Sequence, residues 1–191
     1  MDINTPIEIT EKSTGLDMLN KVRRVFSVYL YKEIQKIASI PVYDNKQARM
    51  LSQHLSQRLG TMRMLMIIDD KEMIQATTQI RKLLSPSFEP TVIIFAPITQ
   101  SPYSEYTVDK IKTMWNSLLQ KFFTHCLTSG AKQICSEEQK RMYAFAENAI
   151  QCWYDLGMMN INELQKACEI IKSFRLGNTN INTEYTSISD D

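Results

Sequence analysis

The chain has 191 residues, 43% hydrophobic and 23% charged, which is ordinary globular composition and excludes disorder along the whole length. Its 22 lysines and arginines nearly balance 21 aspartates and glutamates, so bulk charge cannot draw it to nucleic acid or to an anionic membrane; any such binding needs a local patch. Five glycines and six prolines exclude a collagen-like or linker-like chain, and two histidines exclude a multi-histidine metal site.

Residues 1–13 are polar and predict a flexible N-terminal segment. Thr14 with Asp17 forms a capping box that opens a first helix running to about Ala38. Leu19, Val22, Val25, Phe26, Tyr29 and Ile37 share its apolar face, and Pro41 ends it. Asp44 with Gln47 opens a second helix. There Leu51, Leu55, Leu59, Met62 and Met66 recur within one narrow arc, opposite Lys46, Arg49, Gln53 and Gln57. Gly60 lies on the polar side, where it weakens the helix by ~1 kcal/mol or breaks it.

Asp69 or Asp70 caps a third helix with Met73, Ile74, Ile80 and Leu84 as its apolar positions. Residues 85–90 form a loop with two prolines, and Val92 to Ile98 is short, apolar and β-branched. It reads as an edge strand or an extended buried segment, interrupted by Pro97. A fourth helix spans about Thr107 to Leu127, with Ile111, Trp115, Leu118, Phe122, His125 and Cys126 on one arc and Ser129-Gly130 as its stop. Ser136 to Gln139 is a capping box for a fifth, whose inner side carries Met142, Phe145, Ala149, Trp153 and Leu156 and which Gly157 closes. Asn160 to Glu163 caps a sixth, with Leu164, Ala167, Cys168, Ile171 and Phe174 inward and Gly177 at its end. Residues 178–191 read as a disordered polar tail.

The expected fold is therefore all-α, a single compact domain of about six amphipathic helices over residues 14–177. A rival α/β reading takes 63–70 as a buried strand, 71–84 as a helix and 91–96 as a second strand, a β-α-β unit over 63–96. Asp69 and Asp70 would then lie at a strand's carboxyl end and could hold Mg²⁺, making a Mg²⁺-dependent enzyme. No glycine-rich phosphate loop accompanies them, and the rest of the chain supplies no further strands.

No apolar run approaches the ~18 residues that cross a bilayer, so no membrane insertion is expected. The start lacks the pattern of a secretory signal. Cys126, Cys135, Cys152 and Cys168 contain no Cys-x-x-Cys pair, and Cys126, Cys152 and Cys168 fall on apolar faces, as reduced core thiols of an intracellular protein, cytoplasmic or nuclear, would. No nucleophile elbow, zinc signature or Ca²⁺ loop is present, and no cofactor is implied.

Two surfaces remain. From Asn45 to Ile68 there is no acid, while Lys46, Arg49, Arg58 and Arg63 are present, and Arg24 joins Lys21, Arg23, Lys32 and Lys36 on the first helix. These are candidates for binding RNA, DNA or another anionic partner. Met62, Met64 and Met66 cannot all share one helical face, so part of this adaptable apolar surface is a candidate protein interface. The leading expectation is a non-enzymatic helical module that binds a protein partner or forms a homo-oligomer; the alternative is a nucleic-acid-binding protein using the basic helix at 45–63.

Overall fold

The computed structural model describes residues 8–41, 45–85 and 92–178. Among them are six α-helices: α1 (Gly15–Ala38), α2 (Asn45–Met64), α3 (Asp70–Lys82), α4 (Val108–Ala131), α5 (Ser136–Asp155) and α6 (Ile161–Arg175). A single 3-10 turn spans Pro102–Glu105, and there is no strand among the described residues, only an isolated bridge between Thr14 and Thr107. The fold is all-α. The β-α-β reading of 63–96 is overturned: residues 63–64 finish α2, 65–69 turn into α3, and 92–98 run extended without a paired strand. No helix among the described residues is long and apolar enough to cross a membrane. The expected tail falls almost wholly outside the described residues, as do Asp44 and the first half of the N-terminal segment.

Contacts divide the chain into two compact units, Met1–Trp115 and Asn116–Asp191. In the first, Thr14 caps α1: its side chain accepts from the Asp17 N–H, and the Asp17 carboxylate accepts from the Thr14 N–H at 2.7 Å. Gly15 sits so close to the 3-10 turn that a Cβ would lie 2.8 Å from the Tyr103 carbonyl, and its N–H donates to Tyr106 O at 2.6 Å. Leu19, Val22, Phe26, Leu30, Ile34 and Ile37 form the buried stripe of α1, with Leu55, Leu59 and Met62 of α2 and Ala76 and Ile80 of α3 also buried. Val25 and Ile74, expected inward, face out. α2 passes through Gly60 unbroken.

The end of α2 corrects another expectation. Met66 does not continue the helical stripe. It stands at φ 58° and is 48% exposed. Its N–H donates to Arg63 O at 2.9 Å and the Ile67 N–H to Met62 O at 2.9 Å, the paired bonds of a Schellman closure. Leu65, Ile67 and Ile68 are buried in its place. Gly157 (φ 71°) and Gly177 (φ 85°) close α5 and α6 in the same way, as the sequence predicts.

In the second unit, α5 pairs with α6 and with the later turns of α4. The Trp153 indole N–H donates to Asn116 Oδ1 at 3.0 Å, and Arg175 on α6 pairs with Glu147 at 2.6 Å. Gly130 is not the helix stop. It lies inside α4, where a Cβ would come 2.6 Å from Tyr143 Cε1. Ile111, Trp115, Cys126, Ala149, Trp153 and Leu156 are buried as expected, but some positions between them are off by one. Leu119 and Phe123 are buried where Leu118 and Phe122 were the candidates, and Tyr143 and Ala146 replace Met142 and Phe145. Cys135, not Ser136, occupies the N-cap of α5 and makes no side-chain cap bond. Cys168 and His125 are exposed rather than in the core.

Candidate functional site

The densest polar construction among the described residues is built on one stripe of α1. Asn20, Arg23 and Ser27 are spaced i, i+3, i+7 and so point the same way. All three bind the backbone of the extended segment. The Asn20 side-chain amide donates to Ile98 O at 2.9 Å and accepts from the Ile98 N–H at 2.8 Å. Arg23 donates to Ala96 O through Nε at 3.2 Å and Nη2 at 2.8 Å. The Ser27 hydroxyl accepts from the Phe95 N–H at 3.0 Å and donates to Arg23 O at 3.1 Å. The segment runs antiparallel to α1, and the lengths match: seven helical residues rise about 10.5 Å, and three extended residues span about 10 Å. A helix face therefore does here what a neighbouring strand would do in a sheet.

Arg23 is the hub. It is 2% exposed. Besides Ala96 O, its guanidinium donates to Ile67 O at 2.7 Å and grips the Glu72 carboxylate at 3.0 Å and 2.5 Å. All five guanidinium N–H groups are thereby used. Glu72 also accepts from the Asp69 N–H at 3.0 Å, while Asp69 accepts from the Glu72 N–H at 2.8 Å, a capping box for α3. The Phe95 ring stacks on Phe26 with centroids 5.8 Å apart, and the Arg23 guanidinium stands 5.7 Å from the Phe95 centroid. One buried cation thus ties together α1, the turn after α2, the start of α3 and the extended segment. The sequence reading set Arg23 on a basic surface; it is instead an internal staple.

An open cleft of about 300 Å³ adjoins this staple, with Met66, Ile98, Arg63 and Asp70 on its walls. Its charges are paired with one another. Arg63 reaches Asp70 with bonds of 2.5 Å and 2.9 Å. Hydrogen bonding to Arg63 holds the Asp70 carboxyl below its usual range, and the same bond raises Arg63. Asp69 caps α3 and Asp70 is held by Arg63, so neither stands at a strand end as the Mg²⁺ reading requires. Among the described residues no group of three or more His, Cys, Asp or Glu side chains could hold a metal ion. Burial pushes the Cys126 thiol up to about 11, which keeps it protonated and inert.

The basic candidates do not form one cluster. Lys46 and Arg49 are exposed on the outer face of α2, together with Gln53 and His54. Arg58 is half-buried with its guanidinium 4.8 Å from the Tyr29 ring centroid. Arg63 is paired with Asp70, and Arg24 is half-buried on α1. Of the methionine candidates, Met62 is fully buried and belongs to the core, Met64 is half-buried, and Met66 is exposed beside the cleft.

The outer side of the extended segment was not foreseen as a site. Side chains alternate along it: Ile93 and Phe95 are buried, whereas Val92 is 48% exposed and Ile94 57%. The β-branched run Val92-Ile-Ile was the available signal. No described residue hydrogen-bonds to the peptide groups of Val92, Ile93 or Ile94. No family model, curated protein or solved structure matches this chain.

Proposed function

We propose that this chain is a protein-interaction module whose partner adds an extended, uncharged strand along residues 92–94. The observation that carries this reading is the half-satisfied segment. Asn20, Arg23 and Ser27 fix the segment to α1 at Phe95, Ala96 and Ile98, while the preceding Val92 and Ile94 side chains face solvent and the peptide groups of 92–94 have no described partner. Extended peptides bind such edges through main-chain hydrogen bonds, with alternate side chains giving selectivity. Fixing the segment beforehand lowers the ordering cost of association. The run from Thr91 to Ala96 carries no charge, so a neutral β-branched strand suits it and a charged one does not. Titrating the ¹⁵N-labelled protein with a soluble neutral peptide rich in valine and threonine tests this. The expected result is shifts and slowed amide exchange at Val92 and Ile94, abolished by Ile94→Lys. Unchanged amides at 92–94 would refute it.

A second reading rests on a separate observation. α2 has no acid in its first turn and exposes Lys46, Arg49, Gln53 and His54 on its outer face. An RNA or DNA backbone is the anionic partner this face suits, and such binding falls steeply with salt. The double charge reversal Lys46→Glu/Arg49→Glu should abolish any binding to a random oligonucleotide at low salt; binding that survives it removes this reading.

A further inference from the structure

We infer that Arg49 of α2 and Arg81 of α3 clamp one phosphate between them, and that the partner of this face is the backbone of a double-stranded nucleic acid. The inference rests on the second reading above, brings α3 into it and names the form of its partner.

The Arg63–Asp70 pair marks the flanks on which α2 and α3 face each other. Arg49 stands fourteen residues before Arg63, close to four helical turns, and Arg81 stands eleven residues after Asp70, close to three. Both arginines therefore lie near those same flanks, at the end of the helix pair away from its connecting turn. Along the axes they are about 21 Å and about 16 Å from the ion pair, so only about 5 Å separates their heights. Packed helix axes lie about 8–10 Å apart, within the joint reach of two such long side chains.

Both arginines are exposed, and neither has a hydrogen-bond or ion-pair partner among the described residues. Arg63, by contrast, is held by Asp70, and Arg58 lies over the Tyr29 ring. Lys46 and Lys82 add two exposed cations at the same end. α2 holds no acid, and the acids of α3, Asp70 and Glu72, stand at least about 13 Å from Arg81 along the helix. That exceeds the ~8 Å over which exposed charges act at physiological salt. Glu33, the acid in the last two turns of α1, is held by Lys36.

An arginine fork matches two phosphate oxygens, and two forks fix one phosphate from both sides. The four cations are exposed, so the site is open and suits a polyanion that extends beyond it. Neither helix carries Phe, Tyr or Trp, so a single strand finds no ring on which to stack its bases. A duplex needs none: it presents one negative charge per about 1.7 Å of its axis on a stiff frame.

Fluorescence anisotropy of a labelled random-sequence duplex, titrated with the full chain from about 50 to about 200 mM salt, tests this. Arg49→Gln and Arg81→Gln should each lower the slope of log affinity against log salt by about 0.9, and the double variant by about twice that. Lys121→Gln removes an exposed cation from α4 and should leave the slope unchanged. If Arg49→Gln acts and Arg81→Gln does not, the clamp is overturned and α2 alone carries the second reading. An equal fall for Lys121→Gln also overturns the clamp, because charge anywhere on the surface then accounts for binding. A single strand bound as tightly as the duplex overturns the duplex assignment, and polyglutamate bound as tightly overturns the nucleic-acid one. A wild-type chain that binds nothing at the lowest salt loses the second reading together with the inference.

Discussion

Replacing Arg23 by methionine keeps most of the buried stem and removes the fork. The carbonyls of Ile67 and Ala96 lose their guanidinium donors, and the Glu72 carboxylate loses its counter-charge. Breaking a buried ion pair by deleting one partner costs about 3–5 kcal/mol. The lower end applies here, because the Glu72 side chain is 24% exposed and keeps the Asp69 N–H. Each orphaned carbonyl adds ~1 kcal/mol. The total is about 4–5 kcal/mol, a large part of the 5–15 kcal/mol that holds a typical fold together. For a chain of this size the thermal midpoint falls by roughly 10–15 °C, which circular dichroism at 222 nm measures directly. Amide exchange at Phe95 and Ile98 should quicken more than exchange in α6, because their acceptors Ser27 and Asn20 lie on the same stripe. Adding Glu72→Leu to Arg23→Met removes the stranded charge and should recover about half the loss. A loss under ~1 kcal/mol for Arg23→Met, or a double variant less stable than the single one, would refute the view of Arg23 as the staple.

Gly60→Ala should raise stability by ~1 kcal/mol in urea unfolding, since the position is helical and nothing lies within 4 Å of the added Cβ. Met66→Gly should also stabilise, by about 1 kcal/mol, because it relieves a left-handed backbone that the two other closures give to glycine. Gly130→Ala should cost about 1–3 kcal/mol through the clash with the Tyr143 ring, with Gly130→Ala/Tyr143→Leu less affected than the single change. With a thiol reagent at pH 8, Cys135 should react first, Cys168 more slowly because partial desolvation and the nearby Glu147 carboxylate raise its thiol, and Cys126 and Cys152 only on unfolding.

Most helix boundaries were legible because their determinants are local. The capping boxes at Thr14, Asp69 and Asn160 lie within four residues, and so do the closures at Gly157 and Gly177. Helical phase was less legible. An apolar stripe is more than 100° wide and one residue turns the helix by 100°, so Leu118 and Leu119 both satisfy the pattern, and only the packed neighbour selects between them. Arg23 could not be read at all. Its counter-charge lies 49 residues away at Glu72, and its carbonyl acceptors belong to residues whose placement depends on the fold. By charge alone it is indistinguishable from Arg24 beside it. The same holds for Gly130, whose reason is a ring on another helix.

The segment 92–98 joins these levels. Its β-branched composition favours a pleated, half-buried setting, yet the chain supplies no second strand among the described residues. The stripe Asn20–Arg23–Ser27 resolves that conflict at one end, because side chains about 10 Å apart along a helix meet peptide groups about 10 Å apart along an extended chain. It cannot resolve it at the other. The α1 bonds reach Phe95, Ala96 and Ile98 and stop there, so the peptide groups of 92–94 have no partner among the described residues and are left to water or to another strand. The exposed Val92 and Ile94 gain nothing from water. A strand added there would satisfy the backbone and cover those side chains together, which is why we propose this segment, rather than the paired charges of the cleft, as the interaction site.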